Sequence, residues 1–280
     1  MKVPRAERLV DMTNYIVEHP YTHISLNFFV SRYDSAKSSI SEDLSIIKKT
    51  LKNKGLGDLE TTTGTNGGIS YVPYMPERDA DDFANEMYDL VNDPTRVLPG
   101  GYIYLSDILA RPDVLRRFGR LIASQYKNQK IQAVMTVATK GIPVAIAIAQ
   151  QLNVPYVVAR SGLSKVTEGP TLSTPFTTGT SKQVNKLELS TRSLEKGLNV
   201  IIVDDFMKAG GTIIGLNALA EQFEAKVKGI AVFAEGRSKE RKVENFTSLI
   251  HVDTNLDSGE KIKVQLGNYK QNIYVGEIND

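Results

Sequence analysis

The chain has 280 residues, enough for two domains that each bury a core, and a formal net charge of only +2. It has no cysteine, which excludes disulfides and thiolate metal sites, and its three histidines are too scattered to form an obvious metal centre. No apolar run reaches the length of a membrane span, and the N-terminal residues lack a secretory pattern. We therefore expect a cytoplasmic protein whose nucleic-acid binding, if any, depends on local patterning.

Two helices are predicted at the start of the chain. Apolar residues at helical spacing indicate the first from Arg5 to Glu18. Ser25 is a suitable N-cap for a short second helix, Leu26 to Arg32. We expect Phe28 and Phe29 of this second helix to pack inward.

A third, stronger helix is predicted between about residues 37 and 51. Ser39 and Glu42 have the spacing of a capping box, which predicts that the helix begins near Ser39. Its apolar face consists of Ile40, Leu44, Ile47 and Leu51.

A β-hairpin is predicted after the third helix. Residues 59–63 and 69–72 read as strands, and the turn 64–68 is rich in residues that tolerate positive φ. Three helices followed by a hairpin is the order of a winged helix-turn-helix, which we assign to residues 1–74.

In that fold the third helix enters the DNA major groove. Its exposed first turn offers a cation, hydroxyl groups and free backbone N–H groups, all suited to phosphate and base edges. The predicted contacts are Lys37, Ser38, Ser39 and Ser41, with Arg5 and Arg8 on the DNA backbone and Asn66 in the wing. The alternative is that these residues only cap and solvate the helix, because charge is nearly balanced over residues 1–74. A protein-interaction winged helix therefore stays open at this point.

The second half has the pattern of an α/β domain. Residues 73–94 contain an acidic segment with Phe83, Met87, Leu90 and Val91 at helical spacing, which predicts a connecting helix. From Leu98 onward short β-like runs alternate with helical segments, which predicts a mainly parallel sheet in a domain of residues 75–280. Ligands bind such sheets at the carboxyl ends of the strands.

One strand end has a distinctive chemistry. Residues 200–203 form a buried strand that leads into Asp204 and Asp205 and then into a loop that opens a helix. This loop consists of Lys208, Ala209, Gly210, Gly211 and Thr212. Its glycines let backbone N–H groups approach a phosphate, while the two acids can accept hydrogen bonds from sugar hydroxyls or hold a hydrated Mg²⁺.

This arrangement resembles the phosphoribosyl pyrophosphate (PRPP) signature of type I phosphoribosyltransferases. The resemblance implies that Asp204 and Asp205 bind the ribose and that residues 208–212 bind the 5′-phosphate. It also implies a pyrophosphate loop, whose position is matched by Ala138, Thr139, Lys140 and Gly141. Further pocket candidates are Tyr102, Phe206, Arg160 and Lys165. The polar span 160–196 is expected to be a lid or a hairpin insertion.

The strings KSSISEDL, LPGGY, ATKGIP, KVTEG and VDDFMKAGGT together resemble the PurR family, the purine-operon regulators of Gram-positive bacteria. The resemblance implies a homodimer that binds paired half-sites in purine-gene promoters, with PRPP as effector and Mg²⁺ accompanying it. It implies no catalytic residues and no protein metal site. One alternative is an active xanthine- or adenine-type phosphoribosyltransferase with an appended winged helix. A second is an interaction module with a vestigial nucleotide fold, although the intact phosphate loop argues against it.

Overall fold

The computed structural model describes residues 3–64, 67–100, 102–161, 169–177, 184–254 and 262–272. The predicted DNA contact Asn66 and the pocket candidate Lys165 lie outside these ranges. Within the described ranges, no helix combines the length and the apolar character needed to cross a bilayer.

The N-terminal part is a winged helix-turn-helix, as predicted. Its elements in chain order are α1 (Arg5–Glu18), β1 (Ile24–Ser25), α2 (Leu26–Tyr33), α3 (Lys37–Asn53), β2 (Gly57–Thr62) and β3 (Gly68–Pro73). The antiparallel strands form one sheet in the order β1-β3-β2. Strand β1 was not predicted, because two residues are too few to show an alternating pattern.

The core of this domain lies between the helices and the sheet. Its buried apolar residues include Met12, Ile16, Phe29, Ile40, Leu44, Ile47, Leu51 and Leu59. The prediction for Phe28 was wrong, because its side chain is 36% exposed and stacks on Tyr15 instead. Consecutive helical residues point in different directions, so only one of the two phenylalanines can face the core.

The predicted capping box of α3 was also wrong. The N-cap is Ala36, which provides no side-chain hydrogen bond, and Ser39 lies inside the first turn. Asp43 lies on the buried face of this helix, where it pairs with Arg8.

The second part is an α/β domain with a mainly parallel sheet, as predicted. Its helices are α4 (Glu77–Val91), α5 (Pro112–Gln125), α6 (Gly141–Leu152) and α7 (Gly211–Gln222). Its strands are β4 (Val97–Leu98), β5 (Tyr102–Ile103), β6 (Ala133–Val137), β7 (Tyr156–Ser161), β8 (Thr171–Thr177), β9 (Val184–Ser190), β10 (Asn199–Met207), β11 (Lys226–Gly236), β12 (Thr247–Asp253) and β13 (Lys263–Leu266).

The main sheet has eight strands in the order β13-β12-β11-β10-β6-β7-β9-β8. The five central strands from β12 to β7 are parallel, and antiparallel strands complete both edges. Strands β8 and β9 form a hairpin inside the span 160–196, which agrees with the predicted hairpin insertion. Strands β4 and β5 form a separate small ladder.

Helix α4 is part of the α/β core and not a free connector. Its buried residues Ala80, Phe83, Met87 and Val91 belong to the same apolar cluster as those of α5 and α6. The predicted helix is therefore present, but its apolar face is covered by the second domain.

Candidate functional site

The two predicted ligand loops lie side by side because β6 and β10 are parallel neighbours in the sheet. Gly141, the first residue of α6, packs against the end of β10. A Cβ at this position would lie 2.9 Å from Asp204 Oδ1 and would overlap the Thr136 hydroxyl. Only glycine therefore lets the turn 138–141 approach Asp204 this closely.

The buried Asp204 and the half-buried Asp205 form an acidic pair at the centre of the site. Asp204 is 6% exposed, and its Oδ1 accepts a hydrogen bond of 2.9 Å from the Asp205 backbone N–H. Burial and the neighbouring Asp205 charge raise the pKa of Asp204 well above its usual range. Burial also raises the pKa of Asp205, although Lys140 partly offsets this effect. Hydroxyl donors or a cation from a ligand would relieve the cost of these buried carboxylates.

The glycine loop has the geometry of an anion site at a helix N-terminus. Gly210 is the N-cap of α7 at φ +86°, in the left-handed region, and no side chain caps the helix. A Cβ on Gly210 would lie 2.6 Å from Val243 Cγ2. The uncapped N–H groups and the positive end of the helix dipole face a cavity lined by Tyr102, Asp204 and residues 206–213.

Aromatic residues form one wall of this cavity. The rings of Tyr102 and Phe206 lie 5.8 Å apart. Lys208 Nζ donates a 2.7 Å hydrogen bond to the Gly100 carbonyl and lies 5.8 Å from the centre of the Tyr102 ring. Two of the predicted pocket residues, Tyr102 and Phe206, thus meet, and Lys208 connects the phosphate loop to the β4–β5 ladder.

A second loop, after β11, supports the phosphate loop from outside the cavity. The Lys242 backbone N–H donates a 3.0 Å hydrogen bond to the Ala209 carbonyl. Arg241, its neighbour, pairs with the buried Glu235, which also accepts a 2.7 Å hydrogen bond from the Ser248 hydroxyl. Burial alone would raise the pKa of Glu235, but hydrogen bonds from His251, Ser248 and Arg241 outweigh burial and lower it to about 2. This cluster could not be predicted from sequence, because its members come from separate elements.

The turn 138–141 is only partly available to a ligand. The peptide bond between Ala138 and Thr139 is cis. The Ala138 N–H donates a 2.9 Å hydrogen bond to the Ala159 carbonyl, so this N–H group is already occupied within the sheet. Thr139 and Lys140 are exposed, and Arg160 is exposed on the neighbouring strand β7.

The predicted DNA-binding turn of α3 is open to solvent. Lys37, Ser38 and Ser41 are exposed and Ser39 is half-buried. Because no side chain caps α3, the N–H groups of its first turn can reach a phosphate oxygen. The arrangement suits phosphate and base-edge contacts.

Arg8 is not part of that exposed surface, and its assignment as a DNA contact was wrong. It is 7% exposed, its Nε donates to Asp43 Oδ2 at 2.6 Å, and its Nη1 donates to the Ser35 hydroxyl at 3.2 Å. The fully buried Asp43 carboxylate requires this cation, so Arg8 connects α1 to α3. Arg5 also bonds Asp43, at 2.9 Å, but its side chain is 54% exposed.

Family profiles match both parts of the chain. The profile described as "Bacterial purine repressor, N-terminal" matches residues 4–73, and that of the phosphoribosyl transferase domain matches residues 105–259. The purine biosynthesis transcriptional repressor PurR of Bacillus subtilis is 47% identical over 270 residues, which cover 96% of this chain and 94% of the relative. The chain belongs to the PurR family.

PurR relatives differ in the regulation that their names state. The purine biosynthesis transcriptional activator PurR of Lactococcus lactis subsp. lactis is 46% identical over 265 residues, which cover 94% of this chain and 97% of the relative. Among solved structures, adenine phosphoribosyltransferase from Saccharomyces cerevisiae has a TM-score of 0.49 and 20% identity, covering 55% of this chain and 89% of that one. The PurR family thus contains transcriptional regulators of purine biosynthesis, named both repressor and activator.

Proposed function

We propose that this chain regulates purine genes by binding their promoter DNA through α3, and that PRPP bound in the α/β domain changes that binding. The observation that carries the proposal is the acidic pair of the buried Asp204 and the half-buried Asp205 beside the uncapped N-terminus of α7, which begins after Gly210. A phosphorylated sugar satisfies both features at once. The winged helix supplies the DNA-binding surface.

Each part of PRPP has a matching group in the site. The ribose hydroxyls donate hydrogen bonds to the Asp204 and Asp205 carboxylates, and the 5′-phosphate accepts hydrogen bonds from the N–H groups at the start of α7. The diphosphate lies at residues 139–141, where Lys140 supplies positive charge. Among the described residues no three metal-ligating side chains come together, so an Mg²⁺ ion would depend on PRPP oxygens as well as the acidic pair.

The pocket is proposed to sense PRPP without consuming it. A transferase needs an enclosed slot for the base next to the ribose. In this chain the Tyr102 ring lines the same cavity as Asp204 and lies against Phe206 and Lys208. The relatives that match the whole chain are named as transcriptional regulators, which supports the same conclusion.

The resemblance to the PurR family also implies a homodimer that binds paired half-sites. Sedimentation equilibrium at the protein concentration of the DNA-binding assay measures this assembly. A monomer that still binds a two-site promoter cooperatively would contradict it.

The central test is fluorescence anisotropy of a labelled purine-promoter duplex, titrated with protein at fixed salt, with and without PRPP and Mg²⁺. The unmodified chain should prefer this duplex to a scrambled one, and PRPP should shift the curve. Asp204→Ala with Asp205→Ala should lose the PRPP shift and keep DNA binding. The control is Glu221→Gln, a substitution at an exposed position near the far end of α7.

Two results would contradict the proposal. If PRPP shifts the DNA-binding curve of the double aspartate variant as much as that of the unmodified chain, PRPP does not bind at Asp204 and Asp205. Conversion of PRPP and a purine base to a nucleotide, without preference for the promoter duplex, would favour the transferase alternative.

A further inference from the structure

The turn after α1, residues 20–22, joins the winged helix to the α/β domain. The Tyr21 N–H donates a 2.8 Å hydrogen bond to the Tyr71 carbonyl on β3. The Tyr21 side chain packs against the main apolar cluster of the α/β domain. The next residue, Thr22, accepts a 3.0 Å hydrogen bond on Oγ1 from Asn153 Nδ2. This turn therefore contacts both domains.

Helix α6 connects this turn to the candidate diphosphate site. It begins at Gly141, in the turn predicted to hold pyrophosphate, and ends at the C-cap Asn153. Asn153 adopts the left-handed conformation, with φ +54°, which asparagine tolerates well. A helix of 12 residues is about 18 Å long, so one element bridges the distance from the pocket to Thr22.

Packing makes α6 a rigid connection. Its buried residues Val144, Ala145, Ile148, Ala149 and Leu152 belong to the main core. On another face it touches α5 so closely that a Cβ on Gly119 would overlap the Ala147 carbonyl. A close-packed helix of this kind transmits a displacement of one end to the other end.

The contact continues from Thr22 towards the DNA-binding helix. Thr22 follows α1 closely, and the Arg8–Asp43 ion pair attaches α1 to α3. A movement of the turn 20–22 therefore displaces α1 and, through the buried ion pair, α3. The first turn of α3 carries the predicted DNA contacts.

We propose that α6 is the coupling element between the ligand pocket and the DNA-binding domain, and that the Asn153–Thr22 hydrogen bond transmits its position. The inference rests on the proposed function, because it names the regulation of that same site. A diphosphate at residues 139–141 interacts with the positive end of α6 and so favours one position of the helix. In this proposal α6 has two positions, and the Asn153 amide reaches Thr22 in only one of them. The ligand and the DNA then both act on the equilibrium between these two positions.

The experiment compares the ratio of DNA dissociation constants with and without PRPP in four chains. These are the unmodified chain, Asn153→Gly, Thr22→Val and the double variant. Glycine keeps the left-handed C-cap while it removes the amide, and valine keeps the shape of threonine while it removes the hydroxyl. Calorimetry measures PRPP affinity without DNA, and anisotropy measures DNA affinity without PRPP.

We expect each single substitution to move the ratio towards 1 by roughly 2- to 10-fold, the range that corresponds to one hydrogen bond. The double variant should lose no more than either single variant, because both remove the same interaction. PRPP without DNA, and DNA without PRPP, should each still bind to all four chains. Lys127→Ala is the control, since it breaks another interdomain contact, the 2.8 Å Lys127–Glu60 ion pair, which α6 does not make.

The outcomes separate this inference from the proposed function. If PRPP shifts DNA binding equally in the unmodified chain and in Asn153→Gly, the coupling inference fails and the proposed function stands. An equal loss of coupling in Lys127→Ala would also overturn the inference, because any interdomain contact would then suffice. If calorimetry detects no PRPP binding to the unmodified chain, both are overturned.

Discussion

Arg8 and Asp43, thirty-five positions apart, form a buried ion pair that fixes the third helix of the winged domain against the first. The Asp43 carboxylate has no exposed surface, and Arg8 is its closest cation. Removing one partner of a buried pair leaves an uncompensated charge and is far more costly than removing an exposed charge. The integrity of the DNA-binding domain therefore depends on Arg8.

Arg8→Met should lower the free energy of unfolding of the winged helix by about 3 kcal/mol, in the range found for broken buried ion pairs. Urea unfolding followed by circular dichroism measures this change. Arg5→Met is the matched control. Because the Arg5 side chain is 54% exposed and Arg8 still pairs with Asp43 in this variant, the loss should be less than about 1 kcal/mol. Equal losses in the two variants would show that Arg8 has no special structural role.

Lys37→Ala should weaken DNA binding and flatten its salt dependence. If Lys37 contacts one phosphate, the slope of log K against log salt concentration should fall in magnitude by about 1. Lys54→Ala is a suitable control, because Lys54 is the C-cap of the same helix, about 25 Å along its axis. If Lys54→Ala changes the slope of log K against log salt concentration more than Lys37→Ala does, the DNA lies at the other end of α3.

Asp204→Asn should stabilise the protein while it removes ligand binding. Burial raises the pKa of Asp204 in the folded chain well above 3.8. As pH rises above 3.8, the unfolded chain therefore loses a proton that the folded chain still holds. The free energy of unfolding falls until the pH reaches the pKa of the folded chain. Asparagine has no such dependence, so its Tm should exceed that of the unmodified chain at pH 8 by about 2–4 °C for each kcal/mol gained. The difference should be smaller at pH 5.

The control for that experiment is Asp82→Asn, at an exposed position on α4. It should leave Tm unchanged at both pH values. A Tm for Asp204→Asn below that of the unmodified chain at pH 8 would mean that the carboxylate already has a favourable partner.

Arg241→Ala should weaken PRPP binding without direct contact with the ligand. The substitution removes one hydrogen-bond partner of Glu235, which lowers the free energy of unfolding by about 1–3 kcal/mol. It also loosens the loop in which the Lys242 N–H donates to the Ala209 carbonyl. The pKa of Glu235 is lowered to about 2, so the stabilising effect of its partners is complete above 4.5 and is lost as pH falls towards 2. The difference in Tm between the two chains should shrink over that interval.

The control for Arg241 is Lys239→Ala, at an exposed position in the same loop. It should keep PRPP affinity and Tm. Calorimetry with PRPP would contradict the supporting role of Arg241 if both variants bound as tightly as the unmodified chain.

The positions of the candidate pocket residues could be predicted largely from sequence because most of them are contiguous. Asp204 to Thr212 lie within one strand end and one helix start, so local order alone brings them together. Their placement beside residues 138–141 followed from the rule that parallel strands end at the same edge. Tyr102 and Phe206 of the aromatic wall were each predicted as pocket residues, but the contact between their rings was not predicted.

Long-range partners could not be predicted in the same way. Arg8 precedes Met12 and Ile16 by four and eight positions, so helical spacing places it on the buried face of α1. Nothing local identifies Asp43 as its partner. Helix α5 was also missed, although Val114, Phe118, Leu121 and Ile122 repeat at helical spacing after Pro112.

Because α4 is packed into the α/β core, only Tyr74, Met75 and Pro76 separate β3 from the first residue of that helix. Three extended residues span at most about 10 Å, and Met75 is itself held by a 2.8 Å hydrogen bond from its N–H to Ser124. The winged helix therefore cannot swing out to search for a displaced DNA site. If two copies bind paired sites, as the proposed function states, inserting half a helical turn between the sites would require the DNA to bend or twist, because the three-residue connection leaves the winged helix little freedom to move.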